Sequence, residues 1–296
     1  MITIFSCPKP FTGNTALLQR NAVLSWTQIS PRPEIILLGS EQGVAEVCGE
    51  LGFRQIPEIA CNEAGIPLVS DLFAKAEAAS SHEWMCFINT DIIVTSKLTA
   101  AMKLALERWK SFVLCCSPWN SSSTDGVSVG SPGWESRLDG LVRKAGRPPR
   151  LQGIDLLLFP KGSYRQMPPF LIGRMAYDNW FIFKVLAMGI PLIDASRFVF
   201  TVHQDHPGSS HSNRHQFDRD TRRNQAMAGW WPRTYIAQDA PYRIDEDGCL
   251  TKRPLRELLG RRLRVIMEEA PLLVSVRKAV RALLIALHLW PDRKPA

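Results

Sequence analysis

The 296-residue sequence has no run approaching the ~20 continuous apolar residues of a membrane-spanning helix. Its first apolar stretch, Met1-Ile2-Thr3-Ile4-Phe5, meets Lys9 and two prolines almost at once and has no basic segment before it, which is too short for a secretory signal. Seven cysteines, an odd number without a Cys-x-x-Cys pair, exclude the common zinc and thioredoxin-type motifs. We expect them to be reduced thiols, and the protein to be cytoplasmic. There is no Gly-x-Ser-x-Gly elbow, Walker loop or Gly-x-Gly-x-x-Gly fingerprint, so hydrolase, P-loop and dinucleotide readings lack their parts. Internal repeats are absent too.

What is present is a 45% apolar chain, enough to bury a core without staples. The net charge of +8 is unevenly placed: residues 251–296 hold eleven Lys or Arg against four acids, leaving the first 250 residues nearly neutral. We therefore divide the chain into a body, residues 1–245, ending at the acidic turn Asp245-Glu246-Asp247-Gly248, and a basic extension, residues 246–296.

Within the body, short apolar runs alternate with helical periodicity. Strands are expected at Ile2–Ser6, Glu34–Leu38, Arg54–Ile56, Trp84–Asn89, Phe112–Cys116, Asp155–Phe159, Pro191–Ile193 and Phe198–His203. Helices are expected at Asn14–Ser25, Val44–Leu51, Leu68–Ser80, residues 97–110, Trp134–Lys144 and Asp178–Met188. This alternation specifies an α/β fold with a mainly parallel, Rossmann-like sheet flanked by helices, in which ligands bind at the carboxyl ends of strands. Eleven of the seventeen residues in Ser117–Gly133 are Ser, Gly or Pro, the composition of a loop long enough to act as a lid.

The segment Phe87-Ile88-Asn89-Thr90-Asp91-Ile92-Ile93 carries the strongest chemical signal. A carboxylate at a strand tip can hold a hard divalent ion, and that ion a diphosphate; Asp91 is equally able to cap whatever follows it. Asp178 opens an apolar helix, as an ordinary N-cap or as a general base, and Trp180 would offer a flat face to a sugar ring. Of the histidines at 203, 206, 211 and 215, none has the spacing of a zinc helix or finger, and His203 alone ends an apolar strand.

In this order of elements the chain resembles the GT-A fold nucleotide-diphospho-sugar glycosyltransferases, in which a strand ends in Asp-x-Asp. The resemblance spans roughly residues 1–235. It rests on Ser6-Cys7-Pro8-Lys9, Gly39-Ser40-Glu41, Asn62-Glu63-Ala64-Gly65-Ile66-Pro67, Asn89-Thr90-Asp91, Ile172-Gly173-Arg174, Asp178-Asn179-Trp180 and His203-Gln204-Asp205-His206. It implies a donor subsite at Ser6, Glu41, Asn89 and Asp91, a Mn²⁺ or Mg²⁺ ion on Asp91 and His203, and Asp178 as the base of an inverting hexosyl transfer. Asp155, Arg174, Asn179 and Trp180 would face the acceptor, a glycan or lipid-linked hydroxyl. The sequence departs from the pattern at Asn89, where the family has its first carboxylate, and a weaker metal dependence, or none, follows.

The basic extension reads as two amphipathic helices, residues 255–267 and, after Pro271, a stretch reaching Trp290. Basic amphipathic helices of this kind suit an anionic membrane surface, here the inner face, while packing on the body or in a homo-oligomer would use the same stripes. Continuous apolar stripes with no recognition fold argue against nucleic acid. Two other readings stand beside glycosyl transfer: a catalytically degenerate glycan- or partner-binding protein, and a sugar nucleotidyltransferase. The second normally carries a Gly-rich basic loop after its first strand, and Ser6-Cys7-Pro8-Lys9 is not one.

Overall fold

The computed structural model describes residues 1–121, 127–149, 153–205, 214–270 and 272–276. Contacts divide the chain after Lys252, into a unit from Met1 to Lys252 and a second from Arg253 to Ala296.

The first unit is built on a nine-stranded sheet. In chain order its strands are β1 (Ile2–Ser6), β2 (Glu34–Leu38), β3 (Arg54–Ile56), β4 (Trp84–Ile88), β6 (Val113–Cys116), β8 (Leu156–Pro160), β9 (Leu192–Asp194), β11 (Tyr242–Ile244) and β12 (Leu250–Lys252). They lie in the order β12-β11-β9-β6-β8-β4-β1-β2-β3. Pairing is parallel from β4 through β1 and β2 to β3, and from β6 through β9 to β11. The strand β8 runs antiparallel between β4 and β6, and β12 closes the far edge as an antiparallel hairpin with β11. That hairpin turns through Asp245–Gly248, and Leu250–Lys252 pair with β11.

The central strands are apolar at nearly every position because both faces of the sheet are covered. Alternate residues feed two cores. Ile4, Leu37, Cys86, Ile88, Leu114 and Leu158 pack with α1 (Gly13–Thr27), α2 (Val44–Leu51) and α4 (Lys97–Leu106). Phe5, Ile36, Met85, Phe87, Cys115 and Phe159 pack with α3 (Val69–Ala79) and α6 (Tyr177–Ala187). A smaller three-stranded sheet, ordered β5 (Ile92–Val94), β10 (Thr201–Gln204), β7 (Trp119–Ser121), is backed by α5 (Trp134–Ala145) through Ile93, Val202, Trp134, Leu138 and Val142.

Among the elements that went unread in the sequence are the strands β7, β11 and β12 and one helix. The strand β7 lies inside the Ser- and Gly-rich segment, where Trp119–Ser121 pairs in parallel with β10. The proposed lid is therefore structured at its start, while residues 122–126 lie outside the described residues. The helix α7 (Arg214–Ala228) begins at the end of the histidine-rich stretch of sequence; residues 206–213, with His206 and His211, are also outside the described set. In the second unit α8 (Leu255–Glu269) forms as expected; of the second amphipathic stretch residues 272–276 are described, as helical, and from residue 277 on it lies outside the described residues. No helix among the described residues is long and apolar enough to cross a membrane.

Candidate active site

The carboxyl ends of β1, β2 and β4 share one edge of the sheet, and the start of the antiparallel β8 meets β4 there, with Leu156 opposite Ile88. The triplet Asn89-Thr90-Asp91 crosses this edge and leads directly into β5. Each of its residues is held by a different neighbour. Asn89 donates its amide Nδ2 to Asp155 Oδ1 at 2.6 Å and its backbone N–H to the Asp155 carbonyl at 3.2 Å. Thr90 is buried, its hydroxyl 2.6 Å from that of Ser6. The carbonyl of Asp91 accepts from the Gln204 side chain at 3.1 Å, and the same Gln204 amide reaches the Leu18 carbonyl in α1 at 2.7 Å.

The Asp91 carboxylate faces His203. The antiparallel register of β5 and β10 sets His203 opposite Ile92, and Nε2 stands 3.5 Å from Asp91 Oδ2. On the other side of the ring, Nδ1 is 3.7 Å from Asp205 Oδ1, too long for a hydrogen bond. Asp205 is itself fixed by Arg147, whose Nη2 meets both of its oxygens at 3.0 and 2.8 Å. Burial disfavours the imidazolium, but the hydrogen bond and charge of Asp91, with Asp155 and Asp205 nearby, outweigh it and raise the His203 pKa.

Across the edge, Asp178 occupies the first turn of α6. Backbone N–H groups of Ala176, Asn179, Ile154 and Asp178 itself hydrogen-bond to its carboxylate, and desolvation still wins, lifting its pKa to about 6. The preceding residue but one, Ala176, is buried with φ at +91°, a left-handed conformation unusual for alanine. Strain of this kind persists only where the surroundings enforce it, and here it sets the entry into the helix that carries Asp178. Asp155 is pushed up to about 6 by burial first, then by the charge of Asp91.

The structure thus brings Asn89, Asp91, Asp155, Asp178 and His203 to one edge. The remaining expected contacts are placed differently. Ser6 is fully buried, and its hydroxyl donates to the Ile88 carbonyl at 2.6 Å, so it supports the triplet from beneath. Glu41 is exposed in the turn after β2, where its charge helps raise the thiol pKa values of Cys7 and Cys61. Trp180 is 8% exposed and packed against Phe170 and Phe181; it belongs to the core and has no free face for a sugar. The Arg174 guanidinium lies over the Phe217 ring and 3.6 Å from Asp220, joining its loop to α7. Asn179 donates to the Tyr235 carbonyl at 2.7 Å. Asp155 lies against the triplet Asn89-Thr90-Asp91, where Asn89 holds its side chain and its carbonyl. The pair Asp205–Arg147 was missed, although Asp205 follows β10 directly, two residues after His203.

Among the described residues no group of three or more His, Cys, Asp and Glu side chains is gathered at ion-holding spacing. Asp91 and His203 nevertheless suit a divalent ion of the Mn²⁺ type in donor chemistry. Two donors each about 2.1 Å from one ion stand roughly 3.0–3.5 Å apart, and theirs is the upper end of that range. The protein would supply two ligands, leaving the others to the donor and water.

No family model and no curated protein matches the sequence. Solved structures do match in fold. The mannosyltransferase PcManGT from Pyrobaculum calidifontis, in complex with GDP-Man and Mn²⁺, is 13% identical with a TM-score of 0.50, over 96% of this chain and 75% of its own. TarS 1-349 of S. aureus, in complex with UDP-GlcNAc, is 11% identical with a TM-score of 0.50, over 76% of this chain and 66% of its own. By this likeness, and with its large, mostly parallel sheet flanked by helices, the chain adopts the GT-A fold of these nucleotide-sugar glycosyltransferases.

Proposed function

We propose that the protein is a glycosyltransferase that takes a sugar from a nucleotide-diphosphate donor and attaches it, with inversion, to a hydroxyl of a glycan or lipid-linked acceptor. The observation that carries this reading is the convergence of Asp91, His203 and Asp178 on one sheet edge, each tied in place from behind. Asp91 and His203 would hold Mn²⁺ or Mg²⁺, which supplies Lewis-acid stabilisation of the departing diphosphate. Asp178 would accept the proton of the acceptor hydroxyl. As that oxygen bonds to the anomeric carbon, the bond from this carbon to the diphosphate breaks and nucleoside diphosphate leaves. A carboxylate raised to about 6 is a stronger base than an ordinary one and is still ionised at neutral pH.

The rival reading, a degenerate binding protein, draws on Asn89. The rival nucleotidyltransferase lacks its Gly-rich loop. Release of nucleoside diphosphate from UDP-, GDP- and dTDP-sugars, with and without Mn²⁺, separates all three. Transfer or slow hydrolysis supports the proposal. Pyrophosphate-dependent formation of nucleoside triphosphate, or no turnover of any donor, overturns it.

The proposal extends to location. In α8, Leu255, Leu259, Leu263 and Met267 form an i, i+4 stripe, 68, 52, 63 and 64% exposed, beside exposed Arg256 and Arg264. Half of the large apolar side chains exposed among the described residues fall within residues 255–276. An apolar stripe bordered by cations fits an anionic bilayer surface, and this supports the reading of a protein held on the inner membrane face, beside a lipid-linked acceptor.

A further inference from the structure

The donor triplet carries an amide where a carboxylate would give the ion a second negative ligand. The structure shows what stands behind that amide. Asn89 Nδ2 is the only end of the side chain able to donate to a carboxylate, and it donates to Asp155 Oδ1 at 2.6 Å. This fixes the flip of the amide: its nitrogen points to Asp155 and its oxygen is the end left for a ligand. Asp155 is in turn held by its own backbone, its N–H bonding the Cys116 carbonyl and its carbonyl accepting from Asn89, each at 3.2 Å. The two residues come from neighbouring strand ends, the exit of β4 and the entry of β8.

A bond made only to join strand ends needs no charge. A neutral acceptor would satisfy Asn89 equally well and would avoid a carboxylate in repulsion with Asp91 and Asp178, which Asp155 is. Like charges held together at a ligand edge are relieved when a cation arrives.

We propose that Asp155 is a positioning residue of the donor site: it turns the Asn89 oxygen toward the ligand and restores, from the adjacent antiparallel strand, the negative charge that Asn89 omits. Asn89 and Asp155 together do the work of one acidic residue in the triplet. The inference rests on the donor–ion reading above.

The test is the affinity of the full-length protein for Mn²⁺ in the presence of UDP or GDP, followed by electron paramagnetic resonance, with melting temperature as the control for folding. Asp155→Asn removes the charge and the constraint on the flip, and is expected to weaken Mn²⁺ binding at least tenfold. Asn89→Asp/Asp155→Asn reverses the polarity of the pair, and is expected to return affinity to within about threefold of the parent. If Asp155→Asn binds Mn²⁺ within twofold of the parent, or the double variant recovers melting temperature without affinity, Asp155 is structural and the inference fails. If the parent itself binds no Mn²⁺ with either nucleotide, the donor–ion reading fails, and this inference with it.

Discussion

His203 Nε2 faces Asp91 Oδ2 across 3.5 Å, from a strand whose register with β5 sets His203 opposite Ile92, next to the triplet. On the other side of the ring the carboxylate of Asp205, clamped by Arg147, lies 3.7 Å from Nδ1 and acts on the imidazole through its charge. We predict that His203→Ala weakens Mn²⁺ binding in the presence of UDP or GDP by about 10–100-fold, and that Asp205→Asn has a smaller effect, as partners that orient a ligand do. Calorimetric titration of Mn²⁺ into the nucleotide-bound protein measures both. Equal affinity for His203→Ala and parent would remove His203 from the ion site.

Asp178 gives two readouts of opposite sign. As the base, its replacement by Asn should lower kcat by about 10²–10⁴-fold, and parent kcat/KM should fall as pH drops below about 6, where the carboxylate is protonated. Stability should move the other way. The folded carboxyl holds its proton more tightly than an ordinary one, so between about pH 4 and pH 6 the native state binds more protons than the unfolded chain. The group's contribution therefore declines as pH rises through that window and is constant above it. Between about pH 4 and pH 8 the parent should lose about 1–3 kcal/mol of stability relative to Asp178→Asn, read from urea denaturation. A variant that is equally active and shows no such relative change with pH contradicts both roles.

Gln204 sets the height of Asp91. Buried to 1%, its amide donates to the carbonyls of Leu18 and Asp91, and its oxygen accepts from Asn21. Gln204→Ala leaves those groups unpaired and should destabilise the first unit by about 2–4 kcal/mol. Gln204→Glu keeps the shape but loses the donors, and should lower donor affinity more than it lowers melting temperature. The two readouts moving in proportion would make Gln204 a fold residue alone.

These residues also show where sequence reading reaches its limit. The two-faced alternation of β1, β2, β4 and β8 and the polar break at Asn89-Thr90-Asp91 were legible because burial on both faces leaves a continuous apolar run that stops where the sheet ends. The helix α7 was not legible. Its buried positions are Asp220, Thr221, Asn224 and Ala228, so it has no apolar stripe. It is anchored by the Asn224 side chain, which pairs with both the N–H and the carbonyl of Leu171 at 2.9 Å. Trp180 misled for a related reason: an aromatic residue beside a base reads the same on a buried helix as on an open one, and only the packing of Phe170 and Phe181 decides.

The stripe on α8 should bind anionic vesicles. Full-length protein is expected to sediment with vesicles of phosphatidylglycerol and phosphatidylcholine, and less with phosphatidylcholine alone. Leu259→Glu/Leu263→Glu should reduce that binding at least fivefold with the melting temperature unchanged. Vesicle binding unaffected by the substitutions, or a shift to monomer from a dimer without vesicle binding, would assign the stripe to another partner.

The central claim is that this sheet edge holds a nucleotide-diphospho-sugar through Asp91. Isothermal titration of UDP- and GDP-sugars into the parent and Asp91→Ala, in the presence of Mn²⁺, tests it most directly. The account predicts saturable binding of at least one of these donors by the parent and a loss of at least tenfold in Asp91→Ala, which retains the parent's melting temperature. Binding of equal strength in both proteins, or no binding of any donor by the parent, would contradict it.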